Sequence, residues 1–360
     1  MGLRAALSAL ALAGSLLMAA NTPAVSEPVT DATTTTISGL DLHDGMAYRD
    51  GSTYYMVGSM YGCGYQWYVA SPWCGFGVST ASSLAGPWTT PRALFPPTEP
   101  DPITGKSFAA ECATEDGHGC FNPRMLKRPD GVWVLWFNEV NGRTSSTTSA
   151  YWVLGCNGPA GGCGAGAGAP HGSTHKPTLH QCNGNNGDFA IVTDTSGAVL
   201  ICSYGGTLSE ERLDGWWANG TGTGSTALGG LTDAEGVGAY QDAATGTWVM
   251  TYSDPACGYC TGTGTGYATA PTLMGPWTVP GNLGWSPPAN GRRAISATSC
   301  GGQPRTISVI DGTPYQGIDL WQGTRNEAGA GVILAPLTYT PTTGTPGDGR
   351  RWIPAAAYTC

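Results

Sequence analysis

Three carboxylate residues that lie far apart in the chain, Asp44, Asp188 and Glu235, could act together as acid and base groups. Two carboxyl groups at a controlled separation are the minimum for cleaving a glycosidic bond. One of them protonates the leaving oxygen, and the other activates water or attacks the sugar. A third carboxylate near the acid would raise the pKa of that acid by like-charge repulsion. The three residues are therefore candidates for a base, a modulator and an acid.

A fold that could bring these residues together is indicated by a unit that occurs five times. In each unit an apolar strand ends at a glycine-containing turn, and a second strand rich in Tyr, Trp and Val follows. The turn glycines are Gly51, Gly131, Gly197, Gly246 and Gly312. They are 80, 66, 49 and 66 residues apart, which suits four-stranded propeller blades with long loops on one face.

The repeat predicts an all-β, single-domain, five-bladed β-propeller over residues 37–360. A right-handed β-helix fits less well, because its coils have shorter and more regular periods. A β-sandwich has no reason to repeat one hairpin five times.

Polar residues precede each turn at similar distances. The innermost strand of each propeller blade lines the central channel, so residues at matching positions are expected to meet at its mouth. These residues are Asp44, Asn122, Asp188, Glu235 and Gln303. They precede the turn glycines by 7, 9, 9, 11 and 9 residues. All five offsets are odd, so strand alternation places the side chains on one face unless a bulge intervenes.

A ring of polar side chains at the start of apolar strands predicts a functional site, because buried polar groups are costly unless they are solvated or paired. Gly45, Gly187 and Gly236 adjoin the carboxylates and would permit the close approach of a ligand. The alternative is that each carboxylate only hydrogen-bonds the backbone of a turn, as Asp commonly does.

Composition limits the kind of partner. The formal net charge is −9 and charged residues make up 11% of the chain, which argues against the basic face that nucleic acids and anionic membranes require. A polysaccharide or oligosaccharide fits better, since 13 Trp and 15 Tyr supply rings that stack well on sugars. Trp67 and Trp73, in the long insertion between Cys63 and Cys74, are the aromatic residues expected to bind substrate.

Arg124 follows Asn122 by two residues and is expected on the same strand face. It could contact a sugar hydroxyl or steady a carboxylate, and a salt bridge within the blade wall is the alternative. With Asn122 and Gln303 it completes the predicted substrate-binding set.

The start of the chain has the pattern of a signal peptide over residues 1–26. A charged region ends at Arg4, an apolar run covers Ala5 to Ala20, and small and polar residues follow. Residues 27–36 are Thr-rich and form either a linker or a strand that closes the propeller. The apolar run is shorter than a membrane span, and no later stretch approaches about 18 apolar residues. We therefore expect a secreted, extracellular monomer that does not bind membranes.

The twelve cysteines form an even set, which in an exported protein favours disulfides over metal sites. The local pairs expected are Cys63 with Cys74 and Cys156 with Cys163. Cys257 and Cys260 have the spacing of a redox or zinc motif. No second pair follows at zinc spacing and no thioredoxin-like pattern surrounds them, so a disulfide is predicted here too.

Three histidines, His171, His175 and His180, follow a Gly- and Ala-rich stretch. Their spacing would suit a metal site on a helix, but the surrounding Gly, Pro and Thr residues argue against a helix. No metal site is predicted.

Three segments resemble the five-bladed propeller glycoside hydrolases of family 43 and its clan relatives. The first runs from Leu42 to Tyr48 and contains His43-Asp44-Gly45, the second is Gly187 to Gly197, and the third is Ala234-Glu235-Gly236. By this resemblance Asp44 would be the general base, Asp188 the pKa modulator, and Glu235 the general acid of an inverting hydrolase.

The second and fifth blades are similar to a subgroup of that family, the exo-β-1,3-galactanases, in Phe121-Asn-Pro-Arg124 and Gly302-Gln303-Pro304. That subgroup usually has Gly at the position of Asp44. The substrate therefore stays open among plant cell-wall glycans that contain arabinose, xylose or galactose, such as arabinan, arabinoxylan and arabinogalactan. Many relatives place a channel His where Gln303 stands, which disfavours a bound calcium ion, and no cofactor is required.

A non-catalytic carbohydrate-binding propeller is the main alternative, since a propeller alone implies no activity. A lyase or a phosphorylase on the same scaffold is a third reading. A phosphorylase would need a cationic pocket, and Arg124 and Arg305 give only weak support for such a pocket.

Overall fold

The structure is a computed structural model that forms a five-bladed β-propeller, as the sequence predicts. It describes residues 32–67, 69–113, 119–140, 150–164, 174–183, 187–281, 292, 294–341 and 356–360. The predicted signal peptide lies outside the described residues. Within the described ranges, no helix is long and apolar enough to cross a bilayer.

Each blade is an antiparallel sheet whose strands follow one another from the channel outwards. Blade 1 contains His43–Asp50, Thr53–Ser59, Phe76–Ala81 and Arg92–Ala93. Blade 2 contains Gly119–Lys127, Trp133–Val140, Tyr151–Gly158 and Thr174–His175, with Gly161–Cys163 also paired to its third strand. Blade 3 contains Phe189–Asp194, Gly197–Tyr204, Thr207–Leu213 and Gly220–Ser225. Blade 4 contains Glu235–Gln241, Trp248–Asp254, Gly264–Ala270 and Ala294–Ser296.

Blade 5 combines strands from both ends of the described chain. Its inner strands are Gln303–Ile310, Thr313–Leu320 and Gly331–Pro336. Its outermost strand is Thr35–Ile37, which pairs antiparallel with Gly331–Pro336. The end of the Thr-rich segment therefore forms a strand that closes the ring.

Helices are short among the described residues. One α-helical turn covers Phe108–Glu111, and the side chain of Ser107 caps it by accepting from the Ala110 N–H at 3.2 Å. Two 3₁₀ turns cover Leu228–Gly230 and Ser299–Gly301. A small extra sheet pairs Thr338–Tyr339 with Ala356–Ala357.

The blades pack through apolar side chains, with aromatic rings filling the space between blades 1 and 2. The rings of Phe76 and Phe137 lie 5.0 Å apart between centroids, and those of Phe108 and Trp152 lie 5.2 Å apart. All four side chains are fully buried. Such rings bury large apolar areas; the Phe108–Trp152 pair is edge-to-face and the Phe76–Phe137 pair is tilted. This packing fixes blade 1 against blade 2.

All twelve cysteines are paired. The six disulfides are Cys63–Cys74, Cys112–Cys120, Cys156–Cys163, Cys182–Cys202, Cys257–Cys260 and Cys300–Cys360. Both predicted local pairs are present, and Cys257 with Cys260 forms a disulfide as predicted.

Candidate active site

The structure brings the five polar residues of the inner strands into one pocket at one end of the channel. The pocket lining includes Asp44, Asn122, Asp188, Glu235 and Gln303. Asp188, Glu235 and Gln303 lie at or just before the start of an inner strand, and Asp44 and Asn122 are the second and fourth residues of theirs, in the half away from the glycine turn. The expectation that these residues converge therefore agrees with the structure.

Simple strand alternation was expected to place these side chains on one face, and this expectation is wrong. Four of the five inner strands contain a bulge close to the site residue. Asp44 and Asn122 adopt left-handed backbone conformations within their bulges, with φ of 51° and 58°. A bulge adds one residue to a strand and redirects a side chain, so an odd offset no longer identifies the face.

The expectation that glycines make room for a ligand is wrong for Gly45 and Gly236, whereas Gly187 does line the pocket. A Cβ atom at Gly45 would collide with the carbonyl oxygen of Val57 in the neighbouring strand. One at Gly236 would collide with the carbonyl oxygen of Pro304 in blade 5. The space beside these glycines is filled by protein, so glycine is needed there for the close approach of strands and blades.

Asp188 is held between blades 2 and 4. Its Oδ1 accepts a hydrogen bond from Nδ2 of Asn122 at 2.9 Å, and its Oδ2 accepts one from the Gly236 backbone N–H at 3.1 Å. Asn122 also donates to Oδ1 of Asn138 at 3.1 Å, which fixes the amide. These contacts place the carboxylate of Asp188 beside the segment that carries Glu235.

Glu235 has the properties of a group that holds a proton near neutral pH. Its Oε1 accepts hydrogen bonds from the Cys257 backbone N–H at 2.6 Å and from Nε2 of Gln303 at 2.8 Å. Burial, together with the charge of Asp188, raises the pKa of Glu235 to about 8. A carboxyl that stays protonated in this range can serve as a general acid.

Asp44 is also buried and is 8% exposed. Its Oδ1 accepts a hydrogen bond from the Ser59 hydroxyl at 2.9 Å, and its backbone N–H donates to Oδ2 of Asp319 at 3.1 Å. Burial, together with the charge of the neighbouring Asp319, raises the pKa of Asp44 to about 8. Asp44 is therefore largely protonated below that pH.

Arg124 lies in the wall of the ring and is 2% exposed. Its guanidinium donates to the backbone carbonyl of Asp44 at 2.6 Å and to that of Phe189 at 3.1 Å. It thereby joins blades 1, 2 and 3 around the channel. The structure gives Arg124 a role in holding the strands together, and it also donates to Oδ1 of Asn122 at 3.3 Å.

The two tryptophans of the Cys63–Cys74 insertion have different surroundings. Trp67 lines the pocket and contacts Phe121 and Tyr259, with ring centroids 5.2 Å and 5.8 Å away. Trp73 is 4% exposed and donates from Nε1 to the carbonyl of Cys120 at 3.2 Å. The placement of Trp73 at the substrate is therefore a wrong prediction, because this ring packs into the core between blades 1 and 2.

Several pocket residues were not predicted to belong to the site. They include Tyr61, Tyr259, Arg305, Asp319 and Trp321. Asp319 lies on the second strand of blade 5 and pairs directly with Gln303 on the first strand. An Asp within an otherwise apolar strand is costly to bury unless it is paired, and this was the sequence signal that could have identified Asp319. Tyr259 lies between Cys257 and Cys260, and only the two cysteines of this motif entered the sequence-based prediction.

Metal ligands are not clustered in the part of the chain that the structure describes. Within it, no group of three or more His, Cys, Asp or Glu side chains could hold a metal ion. His171 lies outside the described residues, as does the side chain of His175.

A five-bladed propeller with a carboxylate-lined pocket at one end of its channel is the class that the fold and the site define. No protein-family model matches the sequence, and no curated protein matches it.

Solved structures of family 43 glycoside hydrolases share the fold. A β-1,3-galactosidase of that family has a TM-score of 0.60 and 15% identity, covering 85% of this chain and 61% of its own. An exo-β-1,3-galactanase from Phanerochaete chrysosporium with β-1,3-galactotriose has a TM-score of 0.58 and 15% identity, covering 85% and 64%. A second family 43 β-1,3-galactosidase, with galactodeoxynojirimycin, has a TM-score of 0.60 and 15% identity, covering 89% and 94%.

This chain spans less than two thirds of the length of the first two of these proteins. At such low identity the likeness concerns the fold. It confirms the resemblance of this propeller to those of family 43, including the galactanase subgroup.

Proposed function

We propose that this protein is a secreted glycoside hydrolase that acts in the pocket formed by Asp44, Asp188 and Glu235. The observation that carries the proposal is the environment of Glu235. This carboxyl is buried, accepts hydrogen bonds from Cys257 and Gln303, and has a pKa raised to about 8. Its surroundings are those of a general acid placed in a pocket with a second carboxyl group.

In the proposed reaction Glu235 gives its proton to the glycosidic oxygen as the bond to the leaving sugar breaks. Asp188 lies beside it and disfavours the loss of that proton through its negative charge. Asp44 removes a proton from a water molecule that attacks the anomeric carbon from the other side. Since the pKa of Asp44 is about 8, the fraction of the base form grows as the pH rises towards that value.

We further propose that the reaction inverts the anomeric carbon. An inverting pair leaves room for water, with the carboxyl groups roughly 6.5–9.5 Å apart. Proton NMR of the first product tests this assignment directly. An inverted anomer is expected, and a retained anomer contradicts the roles given to Asp44 and Glu235.

The proposed substrates are neutral plant cell-wall glycans that contain galactose, arabinose or xylose. Galactose is favoured among these sugars by the structural neighbours, which are named as β-1,3-galactosidases and exo-β-1,3-galactanases. Trp67 and Tyr259 supply aromatic rings to the pocket wall, which suits stacking on a sugar ring.

A carbohydrate-binding propeller without catalysis is the second candidate, and the state of Asp44 favours it. A carboxyl that is protonated below about pH 8 is a poor base at neutral pH. Such a protein would bind glycans through the same pocket without releasing sugar.

One experiment separates these proposals. The purified protein is incubated with arabinan, arabinoxylan, arabinogalactan and β-1,3-galactan, and the products are sized. Release of galactose or short galactosides from the last two polymers is the expected result. Binding of a polymer without any release of reducing sugar, between pH 6 and pH 9, would support the second candidate and reject the first.

A further inference from the structure

The loop from Cys257 to Cys260 follows the second strand of blade 4 and is closed by its own disulfide. It contains Gly258 and Tyr259 and lies outside the named helices and strands. Cys257, Gly258 and Tyr259 all line the pocket. A disulfide-closed loop of this size therefore forms part of the wall next to Glu235.

The backbone of this loop contacts both Glu235 and Gln303. The Cys257 N–H donates to Oε1 of Glu235 at 2.6 Å, and the Cys257 carbonyl accepts from Nε2 of Gln303 at 2.6 Å. Nε2 of Gln303 also donates to the same Oε1 of Glu235 at 2.8 Å. One peptide segment, one amide and one carboxyl thus form a closed set of hydrogen bonds.

The side chain of Tyr259 ties the other part of the loop to the pocket wall. Its hydroxyl lies 2.8 Å from the hydroxyl of Tyr61, and its ring lies 4.9 Å from that of Trp321 between centroids. Nε1 of Trp321 donates to Oε1 of Gln303 at 2.8 Å. The loop therefore supports Gln303 directly through Cys257 and indirectly through Trp321.

A loop of this kind has much conformational freedom unless something restrains it. Gly258 has no side chain to limit its backbone, and ordering each residue of a chain costs conformational entropy. Tyr259 has a φ of 55°, a region that non-glycine residues rarely occupy. A cross-link between Cys257 and Cys260 removes alternative conformations, in which the Cys257 N–H would point elsewhere.

We propose that the disulfide-closed Cys257–Cys260 loop is the element that positions the Glu235 carboxyl, with Tyr259 anchoring the loop to the pocket wall. The reading of Glu235 as an acid rests on the proposed function. The positioning itself is a property of the folded protein and can be measured without any substrate.

The ionisable groups around Glu235 must be considered in such a measurement. They are Asp188 of blade 3, Asp233 in its own segment, and the pocket residues Asp44, Tyr61, Tyr259, Arg305 and Asp319. The double variant Cys257→Ser/Cys260→Ser changes none of them and keeps the backbone N–H of residue 257. Cys156→Ser/Cys163→Ser removes another short-range disulfide, between residues 7 positions apart in blade 2, and is the control.

The pKa of Glu235 is followed by NMR of proteins labelled with ¹³C at the Glu carboxyl, and its signal is identified by its absence from Glu235→Gln. In the Cys257→Ser/Cys260→Ser protein the lost Cys257 N–H bond, which lowers the pKa of Glu235, acts against the entry of water, which removes the effect of burial. Because burial is the larger of the two effects, we expect this pKa to fall by about one unit or more. The control keeps the pKa of the unmodified protein. Circular dichroism checks that both variants are folded.

An unchanged pKa in the loop variant, or an equal change in the control, contradicts the proposal. Free thiols at Cys257 and Cys260 in the unmodified protein, detected by mass spectrometry after alkylation, contradict it as well. If the unmodified protein hydrolyses glycans, kcat of the loop variant is expected to fall by about tenfold or more. If it releases no sugar but the pKa falls as expected, the proposed function is wrong and the positioning proposal stands.

Discussion

The backbone N–H of Asp44 donates a hydrogen bond to Oδ2 of Asp319 at 3.1 Å. This contact joins blades 1 and 5 and brings two buried carboxyl groups to the same part of the pocket. Nη1 of Arg305 lies 3.1 Å from Oδ1 of Asp319, and the positive charge of Arg305 compensates part of the negative charge of Asp319. Burial raises the pKa of Asp319 as well. The protonation state of Asp44 therefore depends on Asp319, which belongs to another blade.

The pH dependence of hydrolysis is expected to have an alkaline optimum. Asp44 must be ionised to act as a base, so activity falls as the pH decreases below its pKa of about 8. Glu235 must be protonated to act as an acid, so activity also falls as the pH rises above its pKa of about 8. Measurement of kcat/KM between pH 5 and pH 10 should give a narrow bell centred near pH 8. A plateau from pH 5 to pH 7 would contradict this account.

Asp319→Asn is expected to shift the acidic side of that bell to lower pH. Removal of the negative charge favours the ionised form of Asp44, so the pKa of Asp44 falls and the base form persists in more acidic solution. The ratio of kcat/KM at pH 6 to that at pH 8 should rise by about threefold or more. Asp311→Asn is the control, since Asp311 pairs with Arg49 at the turn of blade 5. An equal ratio in the two variants would count against the role of Asp319.

Trp67→Ala and Trp73→Ala should separate binding from stability. Loss of Trp67 removes an aromatic ring from the pocket wall, so the Kd for an oligosaccharide is expected to rise by about tenfold, or about 1.4 kcal/mol. Loss of Trp73 leaves a cavity in the core and should lower the free energy of unfolding by about 3–5 kcal/mol. Isothermal calorimetry and denaturant titration measure the two effects. The opposite pattern would mean that the two positions are assigned wrongly.

Ile37→Ala should weaken the closure of the ring. Ile37 is 6% exposed and packs with Leu334 and Tyr315 in the cluster between blades 5 and 1. The substitution is expected to lower the free energy of unfolding by about 2 kcal/mol. Thr36→Ala changes an exposed position of the same strand and should stay within about 0.5 kcal/mol of the unmodified protein. Negligible losses in both variants would show that the strand contributes only through its backbone.

The repeated hairpins carried enough information to predict the five blades and the convergence of the polar residues before each turn. A propeller places the first strand of every blade at the channel, so knowing the repeat is enough to know which ends meet. The bulges that direct Asp44 and Asn122 into the pocket were not visible in the sequence. Their presence depends on how neighbouring strands and blades fit together.

Contacts between blades set the positions of the residues that were misplaced or missed from the sequence. Trp67 and Trp73 lie six positions apart in one insertion, and only the packing against blade 2 decides which ring is buried. Asp319 reaches the pocket from the second strand of blade 5 through pairing with Gln303. Tyr259 reaches it through its contact with Tyr61 of blade 1. No short-range pattern reports such neighbours.

In the proposed reaction the pocket cleaves glycosidic bonds with Glu235 as the acid. Its most direct test compares the unmodified protein with Glu235→Gln on β-1,3-galactan and arabinogalactan at pH 8, measuring released reducing sugar and polymer affinity together. We predict that the variant stays folded and binds the polymer as tightly, while sugar release falls by about 10²–10⁴-fold. Full release by Glu235→Gln, or no release by the unmodified protein at any pH, would contradict the account.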